Sequence, residues 1–173
     1  MLRAFLSLAL LSGCLLATTA HALDEGDRAP SFSAPSLTGE GTVELSDHRG
    51  KIVYLDFWAS WCVPCLKAVP AIEELRKELP ASAFQVIAVN LDRDLDKARS
   101  FLAKHSVGYP SATDPEGRVP EAFGLETMPT SYIIDRDGVV RHIHEGFRPS
   151  DIADIRKRIR TLIDGDSLAE AGR

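Results

Sequence analysis

The chain has 173 residues, 45% of them hydrophobic and 26% charged, with a formal net charge of −5. That length and balance predict one ordinary globular domain with a sizeable core and exclude a disordered chain or a multi-span membrane protein. The acidity, spread without long single-sign runs, carries no basic footprint for nucleic acid and reads as a solvated surface.

The chain opens with Arg3 and then an uncharged stretch from Ala4 to Ala22, most apolar between Phe5 and Leu16. Small residues in Ala20-His21-Ala22 precede the polar Asp24-Glu25-Gly26-Asp27, so residues 1–22 are expected to be a secretory leader cleaved after Ala22. Leu11-Ser12-Gly13-Cys14 also fits a lipoprotein signal, cleaved before a lipid-anchored Cys14, although the apolar Leu15-Leu16 is unlike a polar tether. An uncleaved anchor ranks third, because the apolar core falls short of the ~20 residues a span needs. All three place the domain, residues 23–165, outside the cytoplasm, in the periplasm or a comparable bacterial compartment. Residues 166–173 are expected to form a flexible tail.

Two short extended segments, Phe32–Leu37 and Thr42–Leu45, flank the turn signal Thr38-Gly39-Glu40-Gly41 and predict an N-terminal hairpin. Ile52–Trp58 is a nearly continuous apolar run, the mark of a strand covered on both faces, with Asp56 as its polar exception. From Cys62 to Leu79 the period becomes helical, with Leu66, Val69, Ile72, Leu75 and Leu79 on one side and Glu73, Glu74, Arg76, Lys77 and Glu78 opposite. Pro70 is expected to kink that helix. A second buried strand, Phe84–Asn90, completes a right-handed crossover with parallel strands. A short helix over Asp94–Lys104 follows, then strands Thr130–Asp135 and Val139–Glu145 joined by the tight turn Arg136-Asp137-Gly138, and a last helix over Ser150–Ile163. The order predicts an α/β fold: a central mixed sheet flanked by helices, with a hairpin extension.

The cysteines set the chemistry. Loss of the leader at Ala22 removes Cys14 and leaves Cys62 and Cys65, two residues apart. A bond between them closes almost no loop, so redox cycling explains the pair better than stability does. Zinc would need a second ligand pair, which the sequence lacks, and no metal is expected. Cys62 stands where a strand gives way to a helix, so unpaired N–H groups and the helix dipole would stabilise its thiolate. Pro64 suits a first helical turn. Cys65, one turn on and less exposed, is the natural resolving thiol. A carboxylate within an apolar strand is costly to bury, which would raise the pKa of Asp56 and suit it to carry a proton.

The segment from Asp56 to Cys65, reading Asp-Phe-Trp-Ala-Ser-Trp-Cys-Val-Pro-Cys, resembles the active-site segment of thioredoxins. The resemblance implies a thioredoxin-like fold and a redox-active Cys62–Cys65 disulfide with no other cofactor. By the same resemblance Asp56 relays a proton to or from Cys65. Pro129 in Thr127-Met128-Pro129-Thr130 is the family's cis-proline, and the backbone of Met128 pairs with substrate. Trp61, Val63 and Pro64 complete the implied substrate-binding surface, while Trp58 is expected in the core.

Gly26-Asp27-Arg28-Ala29-Pro30-Ser31-Phe32, Asn90-Leu91-Asp92 and Phe123-Gly124-Leu125 resemble the TlpA/ResA-like branch of exported thioredoxins. That branch implies protein thiol or disulfide substrates, apocytochrome c among them, and a membrane thiol–disulfide electron carrier as donor; a monomer is expected. Two positions depart from it: Ala68 stands three residues after Cys65, where cytochrome-maturation proteins commonly carry glutamate, and Asp56 stands where a neutral residue is common. A general reductase and a disulfide-donating oxidant therefore stay open. Peroxidase activity is not expected, since Ala59 replaces the threonine three residues before a peroxidatic cysteine. Copper delivery, drawing on Cys62, Cys65 and a histidine such as His142 or His144, is the non-enzymatic alternative, weakened by the two-residue cysteine spacing.

Overall fold

The computed structural model describes residues 23–171, with side chains described to residue 165; the predicted leader and both of its cleavage alternatives fall outside the described residues. Strand β1 (Ser33–Pro35) pairs antiparallel with β2 (Thr42–Glu44) as a separate two-stranded sheet, the predicted hairpin trimmed to its paired residues. Strand β3 (Ile52–Trp58) is buried along its whole length. It runs into helix α1 (Val63–Glu78), which returns the chain to β4 (Phe84–Asn90), parallel to β3 with Ile52 opposite Phe84 and Trp58 opposite Asn90. Helix α1 continues through Pro70 as one element. Helix α2 (Leu95–Lys104) leads to β5 (Ser111–Thr113), parallel to β4, and then to α3 (Arg118–Ala122). Strands β6 (Thr130–Ile134) and β7 (Val140–Glu145) add antiparallel pairs, giving one mixed sheet in the order β5-β4-β3-β6-β7.

Helix α4 (Ile152–Ala171) closes the chain and passes Ile163, where the apolar pattern places its end. A glycine such as Gly165 costs a helix about 1 kcal/mol relative to alanine, which weakens but does not end it. Among the described residues no helix is long and apolar enough to cross a membrane.

Alternation along β3 divides the core in two. Ile52, Tyr54 and Trp58 join Val69, Ile72 and Leu75 of α1, Leu102 of α2 and Ile155 and Ile159 of α4. Val53, Leu55 and Phe57 face the other way, against the hairpin residues Ala34 and Val43 and against Phe123 and Tyr132. Each large apolar side chain so buried contributes about 1.5–3 kcal/mol. This burial, together with the parallel crossover, fixes where β3 ends and α1 begins.

Glu73 departs from its expected place on the solvent face of α1 and is 2% exposed. Burial pushes its carboxyl up, but the Arg76 guanidinium, bonding it at 2.8 and 2.9 Å, and the Gly108 N–H at 3.2 Å outweigh that and hold it below the ordinary range. These bonds staple α1 to the segment leading into β5.

Candidate functional site

Immediately past the buried strand β3, the chain makes a turn closed by the Cys62 N–H donating to the Ala59 carbonyl at 3.1 Å. Cys62 then caps α1 in an extended conformation, and its Sγ accepts the Cys65 N–H at 3.3 Å. Pro64 sits in the first turn, where its missing donor leaves no intrahelical bond unmade. Cys62 and Cys65 are joined in a disulfide with a Cα–Cα distance of 5.2 Å. Cys62 retains 6% exposure and Cys65 none, so of the two residues only Cys62 reaches solvent. Around that opening stand Trp61 and Val63, 63% and 66% exposed, the large hydrophobic residues left in solvent among the described residues.

The Met128–Pro129 bond is cis. Thr130, the next residue, pairs with Phe57, so this bond stands at the end of the sheet where β3 gives way to the cysteine turn. Met128 is half-buried against both core clusters, including the one that holds the two cysteines. The Pro129 carbonyl accepts the Gly146 N–H at 2.7 Å, which ties the segment to the end of β7.

Asp56 shares the face of β3 that carries Tyr54 and Trp58, the face against which α1 packs. It is 1% exposed, flanked in register by Ala88 on β4 and Ser131 on β6, and its Oδ2 has no hydrogen-bond partner among the described residues. Burial, with no neighbouring cation to offset it, pushes the carboxyl up to about 8. Nearby, Tyr54 bonds Ser131 through its hydroxyl, and Tyr109 donates to the Val69 carbonyl at 3.4 Å. Burial first, and then the charge of Asp56, pushes both phenols up.

A second buried acid was not singled out from the sequence. Asp92, 3% exposed just past β4, accepts the Ser60 N–H and the Asn90 amide on Oδ2 and the Ser60 hydroxyl on Oδ1, each at 2.7 Å. Asn90 returns a bond by accepting the Asp92 N–H at 3.1 Å. The available signal was the pair of polar residues at the end of an otherwise apolar strand.

The two histidines are engaged elsewhere: His142 Nδ1 is 2.8 Å from Glu25, and His144 Nε2 is 3.3 Å from Asp151. Among the described residues no group of three or more His, Cys, Asp or Glu side chains is arranged to hold a metal ion.

A strand that delivers a disulfide to a helix N-terminus beside a cis-proline defines the thioredoxin-like class. The Redoxin family profile matches residues 24–159. The thioredoxin-like protein YneN of Bacillus subtilis is 38% identical over 127 residues, covering 72% of this chain and 73% of its own length. The thiol-disulfide oxidoreductase ResA of Bacillus thuringiensis is 33% identical over 123 residues, covering 71% of this chain and 70% of its own. A Chlorobium tepidum crystal structure, assigned as a thiol:disulfide interchange protein DsbE, superposes with a TM-score of 0.78 at 44% identity, covering 82% of this chain and 99% of that one. The chain belongs to the Redoxin family and is a TlpA/ResA-like thiol–disulfide oxidoreductase of thioredoxin-like fold.

Proposed function

We propose that the protein is an extracytoplasmic reductase of protein disulfides in which Cys62 is the nucleophile and Cys65 the resolving thiol. The observation that carries this reading is the asymmetry of the pair: the cysteine at the helix N-cap is the one that reaches the surface, and its partner is fully buried. In the reduced enzyme the Cys62 thiolate, stabilised by the Cys65 N–H and the helix dipole, attacks one sulfur of a substrate disulfide. The substrate S–S bond breaks, a mixed disulfide forms on Cys62, and the other substrate sulfur leaves as a thiolate and takes a proton. Cys65 passes its proton to Asp56 in the ionised fraction of that carboxyl, a fraction that grows as pH rises toward 8, and attacks the Cys62 sulfur. The second substrate sulfur departs, two electrons have passed to the substrate, and the Cys62–Cys65 disulfide remains.

Trp61, Val63, Pro64 and the Met128–Pro129 segment form the surface on which a substrate chain docks. A membrane thiol–disulfide carrier returns the two electrons, and the names ResA and DsbE among the similar proteins favour an exported role, apocytochrome c being one candidate substrate. A leader cleaved after Ala22, or a lipoprotein signal cleaved before a lipid-anchored Cys14, would supply the export signal. The disulfide-donating alternative uses the same residues in reverse. Copper delivery is less well supported, because His142 and His144 each face a carboxylate.

Two measurements test the proposal. Cys65→Ser is expected to trap a mixed disulfide on Cys62, seen as a reducible covalent adduct by mass spectrometry, and Cys62→Ser to abolish turnover; parental rates in both variants would overturn the mechanism. A reduction potential near that of thioredoxin, about −270 mV, supports a reductase, whereas one near −120 mV makes the protein an oxidant.

A further inference from the structure

We infer that Asp92 is a positioning residue for the reaction: gripping Ser60 by both its N–H and its hydroxyl, it holds the turn that sets Cys62 at the N-cap of α1. The inference rests on the reading of Cys62 as nucleophile. Ser60 and Trp61 are the two central residues of the turn closed between Ala59 and Cys62. The closing hydrogen bond lies within the turn and does not by itself set the orientation of Ser60 and Trp61 against the sheet. Asp92 supplies such a restraint from just past the end of β4, with Asn90 locking the carboxylate in turn. A further bond from the Leu91 N–H to the Trp58 carbonyl, 3.0 Å, aligns the same two segments.

A neutral side chain would be cheaper to bury than a carboxylate. What the carboxylate offers is two oxygens that take the N–H and O–H of one residue together, so Ser60 can neither tilt nor slide. Cys62 lies two residues on, and its sulfur must meet the Cys65 N–H for the thiolate to be stabilised. Loosening the turn misaligns that donor and the first turn of α1 with it.

Charge and positioning predict opposite signs. Were Asp92 felt at Cys62 only as a negative charge, Asp92→Asn would increase the thiolate fraction. If it acts by positioning, the fraction falls, because the amide offers one acceptor oxygen where the carboxylate offers two and replaces charge-assisted bonds to Ser60 with weaker neutral ones. Ser60→Ala breaks one bond and leaves the carboxylate in place, so it isolates positioning and is mild enough to fold if Asp92→Asn is not.

The experiment is titration of the reduced protein by ultraviolet thiolate absorbance, with the rate of attack on glutathione disulfide read in parallel. Below the titration midpoint, Ser60→Ala is expected to lower the Cys62 thiolate fraction about threefold and Asp92→Asn about tenfold, the range that loosening a charge-assisted hydrogen bond produces. Ser60→Thr, which restores the hydroxyl, should return the parental curve. An unchanged curve in Ser60→Ala, or a raised thiolate fraction in Asp92→Asn, overturns the inference. Retained turnover in Cys62→Ser would instead defeat the underlying assignment of the nucleophile, a separate outcome.

Discussion

Replacing Asp56 by asparagine removes the one buried carboxyl, among the described residues, that its environment holds above its ordinary value. In the folded protein that carboxyl stays protonated up to about pH 8, whereas its ordinary value is 3.8. Between those limits the folded state binds the proton more tightly than the unfolded chain, so stability is highest below the lower value and declines as pH rises toward the upper one. At about 1.4 kcal/mol per pH unit, that window costs the parent protein several kcal/mol by pH 9, a large part of the 5–15 kcal/mol typical of a domain. The asparagine amide meets the same shortage of partners as a protonated carboxyl, so the two proteins should be within about 1 kcal/mol of each other near pH 4. By pH 9, Asp56→Asn is expected to be more stable by roughly 3–5 kcal/mol. Denaturant unfolding of the disulfide form at pH 4, 6.5 and 9, with equal m-values, measures the difference directly. Parallel stability profiles for parent and variant would refute the assignment of a raised Asp56 carboxyl. The same substitution should slow resolution of the mixed disulfide, since Cys65 then loses its proton acceptor.

Other residues give simpler tests. Glu73→Ala should lower stability by about 2–3 kcal/mol at neutral pH, because it breaks the bonds to Arg76 and Gly108. Glu73 is held below its ordinary value, so its contribution is full at neutral pH and should fade as pH falls through the carboxylate range, a trend chemical denaturation would show. Gly138→Ala, at φ +82° and against the Arg49 side chain that caps the β6–β7 turn, should cost about 1–2 kcal/mol in the same assay. Trp61→Ala should raise KM for a protein disulfide several-fold while leaving the rate with a small disulfide nearly parental, the signature of lost docking area.

Much of this architecture is written locally. Strands β3 and β4 have the bounds that their apolar runs mark, because a strand covered on both faces needs a nearly continuous apolar run, interrupted here at Asp56 and Gln85. The cysteine pair is equally legible, since its chemistry depends on neighbours within one helical turn. Strand β5 and helix α3 escape such reading: three and five residues are too few for a period, and β5 exists because its edge pairs with β4 and bridges Ser36 to Ala112. Glu73 was misplaced on the solvent face for a related reason. Its burial depends on Gly108, 35 residues away, which no helical pattern can announce.

The two buried acids near the cysteines show where local reading stops and what the fold adds. Asp56 is visible as an anomaly in its strand, yet its surroundings, Ala88 and Ser131 rather than a cation, come from strands far away in sequence. Asp92 looks ordinary after β4 and becomes informative only when the crossover brings Ser60, 32 residues earlier, against it. Asp56 near the end of β3 and Asp92 just past the end of β4 lie at the same end of the sheet, the end from which the chain enters the reactive helix, but they serve it differently. Asp92 is saturated with donors and suits a fixed restraint. Asp56 has an oxygen with none, so the proton it carries is its most readily exchanged partner. A disulfide enzyme needs both, because attack by Cys62 requires a sulfur held still and resolution by Cys65 requires a proton that moves.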